Sequence, residues 1–268
     1  MKRRVDSRSM LPLSRSARPR AGDPTGEAFR PEWIDFERGI RVGNLEPHER
    51  ITQILKYHLE RDYGVAFVTD RWGRGVHWQW ICWLPRANRE AKPLSSRYNF
   101  GCAKLFISVD RKAKVFQAGL QIERGVAQGT PSYPDTLLQP DWDWHRLMAG
   151  CRRGTALEAE LERLLRREGF VVEIGDFERP VRLDGSSPSV AASIKRAGGR
   201  APKESWASFQ LYYPMPEAEV RAGPGGEIVR AIRAAFDEVV PAMNACMQVE
   251  LSKAADRPET ASGPRVRT

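Results

Sequence analysis

Residues 103–124, AKLFISVDRKAKVFQAGLQIER, limit what this chain can fold into more than any other stretch. Leu105, Ile107 and Val109 alternate with Lys104, Ser108 and Asp110, and Phe106 is the one apolar interruption. Phe116, Ala118, Leu120 and Ile122 then alternate with Gln117, Gly119, Gln121 and Glu123. Successive side chains of a strand point to opposite faces, so period two over both arms specifies an antiparallel hairpin turning at Asp110-Arg111-Lys112-Ala113. One face needs an apolar partner layer. The other aligns Gln117, Gln121 and Glu123 and is expected to meet solvent, the default for one side of an antiparallel sheet.

Helical patterns before and after the hairpin can supply the partner layer. Over 47–62, Ile51, Ile54, Leu55, His58 and Leu59 recur at helical spacing, with Pro47 in the first turn and Gly64 at the stop. His58 lies on that stripe and reads as a hydrogen-bonded core histidine. A short helix fits 141–151. Thr155 and Glu158 frame a capping box for a helix over 156–168, whose stripe is Leu157, Leu161, Leu164 and Leu165. A last helix starts near Gly226 and presents Ile228, Ile232, Phe236 and Val239, with Pro241 kinking or restarting it.

Further strands are expected at 65–68, 76–84, 170–174 and 206–213, the last ended by Pro214 and Pro216. Within 76–84, strict alternation groups Trp78, Trp80, Cys82 and Leu84 on one face and His77, Gln79, Ile81 and Trp83 on the other. Residues 185–203 carry four cations and no acid and read as an exposed excursion. The fold class is therefore α+β: a single domain over 31–251, its central, mainly antiparallel sheet built around the hairpin and its helices packed on one face. Residues 1–30 and 252–268 read as disordered basic tails.

The formal net charge is +9, and its distribution is uneven. Residues 1–30 hold eight Lys/Arg against three Asp/Glu, and 252–268 hold four against two. Residues 86–114 hold eight cations against two acids and lead straight into the hairpin. Clustered cations displace condensed counterions from phosphates, so this segment is the candidate contact for a polyanion. Four of the eight tryptophans fall between positions 72 and 83. Trp83 there, and Tyr98 in the basic loop, are available to stack on bases.

Several classes find no support. Cys82, Cys102, Cys151 and Cys246 form no CxxC pair and the four histidines no ligand spacing, so neither a metal site nor a cofactor is expected. Gly223-Pro224-Gly225-Gly226 lacks the spacing of a phosphate loop, and no GxSxG occurs. Asp110 and Glu123 do not complete the carboxylate and E-x-K set of a metal-dependent nuclease. No run approaches eighteen apolar residues, and Arg3-Arg4 is not followed by an apolar export segment, so a cytoplasmic protein without a membrane partner is expected.

Three functions remain. The first is a nucleic-acid-associated binding or accessory protein, with Arg86, Arg89, Lys92, Arg97, Arg111, Lys112, Lys114 and the tails on phosphates. The second is an enzyme on the polar sheet face, with Glu123 or His77 as acid or base and Gln117 and Gln121 positioning a small polar substrate. The third is a protein–protein adaptor anchored by Trp72, Trp83 and Trp206.

Overall fold

The computed structural model describes residues 24–94, 99–129 and 136–256. Most of both expected tails, together with Arg97 and Tyr98, lies outside the described residues. Among the described residues nine strands build one sheet: β1 Ile34–Asp35, β2 Gly39–Arg41, β3 Phe67–Arg74, β4 His77–Pro85, β5 Lys104–Asp110, β6 Val115–Gly125, β7 Val171–Asp176, β8 Val181–Leu183 and β9 Ala207–Pro216. Every pairing between them is antiparallel. The main run is β4-β5-β6-β9-β7-β8. β3 pairs along the whole of β4, and the β1–β2 hairpin joins the first two residues of β4.

The hairpin β5–β6 sits in the middle of this run. Leu120 lies opposite both Leu105 and Leu211, and Gln121 opposite both Lys104 and Gln210. Leu105, Ile107, Leu120 and Ile122 are fully buried on one face. Above them lie α1 Ile51–Tyr63, α4 Ala156–Arg166 and α7 Gly225–Asn244, whose apolar stripes enter the same core cluster. The short helices α2 Arg86–Glu90, α3 Asp143–Gly150 and α6 Glu217–Ala222 close the ends. Thr155 caps α4 by accepting the Glu158 N–H, while the Glu158 carboxylate reaches back to the N–H of Gly154.

Five expectations change. Residues 185–203 contain α5 Val190–Arg200, which buries Val190, Ala191 and Ile194 against the core, so its cations lie on the outer side of an amphipathic helix. Folding begins before position 31, because Phe29 is in the core and its carbonyl packs on Gly225 of α7. β9 continues through Pro214 to Pro216. Past Tyr212 it pairs only with β6, so the N–H that proline lacks is not needed toward β7. In β4, Gln79 is an extra residue between the Trp72–Trp80 and Gly73–Trp78 pairs. This bulge reverses the alternation: Trp78 joins Ile81 and Trp83 in the main core, while Trp80, Cys82 and Leu84 occupy the opposite face.

The last change is the largest. The face opposite the helices is not a solvated surface around the hairpin. It holds a second apolar cluster of Cys82, Leu84, Cys102, Phe106, Val171 and Tyr212. Gly119 belongs to its centre, between Phe106 and Tyr212, where a Cβ would stand 2.0 Å from the Leu211 carbonyl oxygen. The room that glycine leaves is filled by the backbone of β9.

Two measurements check this packing. Leu120→Ala should lower stability by about 2–5 kcal/mol in chemical denaturation, as large-to-small core changes do, and Gly119→Ala should also destabilise by pushing β6 from β9. His58 provides a pH readout. Its Nε2 lies 3.4 Å from the Thr25 carbonyl, and burial, then the Arg233 and Arg61 cations, lower its pKa from 6.5 to about 4. The unfolded chain therefore binds one proton more between these two values. Stability present above pH 6.5 should be lost as pH falls toward 4, and His58→Gln should flatten that limb of a denaturation series.

Candidate functional site

The polar line of the hairpin is assembled as its register dictates, but it is sealed. Lys104 of β5 and Gln121 of β6 are directly opposed, and Glu123 lies one step along the same face. Lys104 Nζ forms an ion pair with Glu123 and donates to the Asn99 carbonyl at 2.8 Å. Gln121 accepts from the Trp80 indole N–H at 2.5 Å and donates to Glu123 at 3.4 Å. Gln117 accepts from the Ser108 hydroxyl at 2.6 Å. Segments from both sides fold over this end: the Phe100 and Trp206 rings meet edge to face at 5.1 Å. Arg124, a bulged residue of β6, holds the segment before Trp206 by donating to the carbonyls of Ala201, Pro202 and Ser205.

Burial works against both charges of the Lys104–Glu123 pair. It pushes the Glu123 carboxyl up against the pull of Lys104, whereas at Lys104 the carboxylate outweighs burial and holds the ammonium above its ordinary value. Glu123 is 5% exposed and serves as an ion-pair partner inside the protein. His77 sits at the hairpin end of β4, roughly 27 Å along the strands from Glu123 at about 3.3 Å per strand residue. The two candidate acid–base residues do not share a site, and Gln117 and Gln121 are committed to internal hydrogen bonds.

The basic segment 86–114 is divided just as firmly. Lys92 is fully buried and ion-paired with Asp143, so it cannot reach a phosphate. Trp83 is fully buried on the helix face, its ring 6.0 Å from Phe236, and cannot stack on a base. Arg86 and Arg89 line a cleft of about 640 Å3 with Lys56 and Gln53, where β4 ends. Arg111, Lys112 and Lys114 stand at the hairpin tip, with Lys114 paired to Glu37. The length of β4, roughly 27 Å at strand rise, separates these two groups. Charges of one basic segment are thus placed at opposite ends of the sheet.

At the hairpin end the fold adds partners that are remote in sequence. Arg38, Trp72, Gly73, Arg74, His77, Gln79 and Arg111 line a cleft of about 570 Å3. The β1–β2 turn brings Arg38, whose side chain is 70% exposed although it binds Asp35 at 2.6 Å. Burial alone would raise the Asp35 carboxyl; the Arg38 side chain and the N–H groups of Glu37 and Arg38 outweigh it and hold its pKa at about 2. The bulge at Gln79 turns His77 toward the cleft, where burial, then Arg38 and Arg41, lower its pKa against the opposing pull of Asp35. Trp72 is 65% exposed, more than any other large apolar residue described. Three arginines around an uncovered indole, with no acid in the lining, suit an anionic ligand that carries a planar ring.

Arg38 and Arg74 escaped the sequence reading because neither lies in a cationic run. The signal that could have found Arg74 is its position beside Trp72 and Gly73 in a turn-flanked strand; nothing local points to Arg38. Among the described residues no cluster of His, Cys, Asp and Glu could hold a metal ion, and no helix is long and apolar enough to cross a membrane. No protein-family model, curated protein or solved structure matches the chain.

The sealed pair makes its own prediction. Lys104→Met should destabilise by about 3–5 kcal/mol because it strands the Glu123 charge, while Lys104→Met combined with Glu123→Leu should recover most of that loss. Equal denaturation midpoints for the single and double variants would show that the two side chains are not coupled.

Proposed function

We propose that the hairpin end of the sheet binds a nucleic-acid strand, with Arg38, Arg74 and Arg111 on phosphates and Trp72 stacked on a base. The observation that supports this most is the convergence of those arginines with an exposed indole around one cleft. Guanidinium groups engage phosphate oxygens in a bidentate manner, and an indole face accepts any base. Lys112, exposed at the tip, extends the positive field. The reading favours single-stranded over duplex nucleic acid, because a stacking contact requires an unpaired base. It places the weight on Arg111 and Lys112 and withdraws it from Lys92 and Trp83.

Of the alternatives, the protein–protein reading keeps one supporting feature: Trp72 is exposed on β3, which pairs with β4 alone among the described strands. The enzyme reading keeps none, since Glu123 is sealed and His77 stands apart from it.

Binding to labelled single-stranded and duplex oligonucleotides across a salt series tests the proposal. Wild-type protein should bind single strands at low salt and lose affinity steeply as salt rises. Combining Arg74→Ala with Arg111→Ala should reduce the logarithmic salt slope by about two, one for each phosphate contact. Trp72→Ala should weaken single-strand binding by about 1–3 kcal/mol and duplex binding by less. Absence of binding at low salt, or wild-type affinity in both variants with thermal unfolding unchanged, would exclude this interface.

A further inference from the structure

Asn88, Lys92 and Asp143 form a group that the binding cleft does not use. All three side chains are fully buried, an environment that lysine and aspartate rarely occupy unless paired. Lys92 Nζ lies 3.0 Å from Asn88 Oδ1, 2.9 Å from the Asn88 backbone oxygen and 2.9 Å from Asp143 Oδ1. Asn88 Nδ2 donates to Asp143 Oδ2 at 2.8 Å. One carboxylate thus touches an amine through one oxygen and a carboxamide nitrogen through the other. The Gln248 backbone N–H donates to Asn88 Oδ1 at 3.0 Å. The Ala103 N–H, at 2.7 Å from Asp143 Oδ2, holds the carboxylate in place. Asp143 Oδ1 has the Lys92 ammonium beside it and no hydrogen bond of good geometry, although it is buried.

These are the parts required for amide exchange. We propose that Lys92 and Asn88 become joined by an intramolecular amide bond, with Asp143 as the catalytic residue and ammonia as the leaving group. The steps balance without any outside reactant. Asp143 Oδ1 takes a proton from the Lys92 ammonium, leaving a neutral amine next to a neutral acid. The lone pair of Nζ attacks Cγ of Asn88, and the negative charge that develops on Oδ1 is met by the Gln248 N–H. Nζ gives a second proton to the carboxyl group while the carboxyl returns one to Nδ2. The bond between Cγ and Nδ2 breaks, ammonia departs, and Asp143 remains protonated. Ammonium, carboxylate and carboxamide are converted into secondary amide, carboxylic acid and ammonia.

The surroundings favour each step. Transfer of the first proton removes two charges from a site without solvent, where an ion pair is costly to hold. Burial pushes the Asp143 carboxyl above the ordinary carboxylate range against the pull of Lys92, which suits a residue that alternates between base and acid and ends neutral. Nucleophile and carboxamide are four residues apart, with Asn88 inside α2 and Lys92 just past its end, so closure orders little additional chain. Exclusion of water protects the product from hydrolysis. The link would tie the end of α2 to the turn that follows it and replace a buried charge pair by a neutral bond.

Mass spectrometry of the intact full-length protein decides the matter. The chain should be lighter than its sequence requires by one ammonia. Proteolysis after Glu90, between the two residues, should leave the flanking peptides joined, and fragmentation should locate the bond between Lys92 and Asn88. Asp143→Asn, Lys92→Met and Asn88→Ala should each restore the mass calculated from sequence. A wild-type chain of full mass overturns the proposal, whatever the variants do. So does a chain lighter by ammonia whose peptides separate after Glu90, because an asparagine has then closed on its own backbone as a cyclic imide. Linked peptides that persist in Asp143→Asn would overturn the role of the carboxylate.

Discussion

Strand β6 must be buried on both faces, and the rest of the structure follows from that demand. It lies between β5 and β9 with Phe116, Ala118, Leu120 and Ile122 under the helices. Its other face carries Gln117, Gly119, Gln121 and Glu123, side chains that water would normally satisfy. Enclosing them is acceptable only when every polar atom finds a partner, since an unpaired buried donor or charge costs more than the bond it would have made. Ser108, Trp80 and Lys104 are those partners, all supplied by the neighbouring strands β4 and β5. The register of three strands is therefore determined by hydrogen bonding on one face as well as by packing on the other. A one-residue slip would break both at once.

The same demand shapes the covering segments. Asn99 gives its carbonyl to Lys104 and its amide to Asp70, and Arg124 anchors the chain near Trp206 through three carbonyls. Below this lid Asn88, Lys92 and Asp143 tie α2 to α3 and to the Gln248 backbone. Two of the eight cations that 86–114 brings, Lys92 and Lys104, are thereby consumed inside the protein. Among the described residues, Arg86 and Arg89 remain at one end of the sheet and Arg111, Lys112 and Lys114 at the other. Among the described residues, the hairpin end gathers the further arginines Arg38 and Arg74 beside the exposed Trp72 indole.

Period-two and helical patterns were legible because they record burial against one partner surface, which local spacing encodes directly. The stripes of α1, α4 and α7, the capping by Thr155 and the alternation of Leu105, Ile107, Leu120 and Ile122 were all of this kind. Alternation says which residues share a face. It does not say whether a second layer covers that face, and so the polar side of the hairpin looked solvated when it was enclosed. The bulge at Gln79 was invisible for a related reason: an extra residue has meaning only relative to the partner strand. It reassigned Trp78 and His77 together. Helix α5 was hidden by its cations, which lie on the outer side of Val190, Ala191 and Ile194.

By itself, then, the sequence determined the α+β class, the central hairpin and the stripes that cover its apolar face, because each rests on contacts between near neighbours or on simple periodicity. Tertiary structure alone decided which charges remain available. Lys92 and Lys104 look like their exposed neighbours in sequence, and only the long-range meetings with Asp143 and Glu123 take them out of solvent. Arg38, Arg74 and Arg111 are far apart along the chain, and only the pairing of β2 and β3 with β4 and the return of the hairpin bring them to one cleft. Charge acts through space with a range of several ångströms, so its meaning is settled by distances that linear order does not contain.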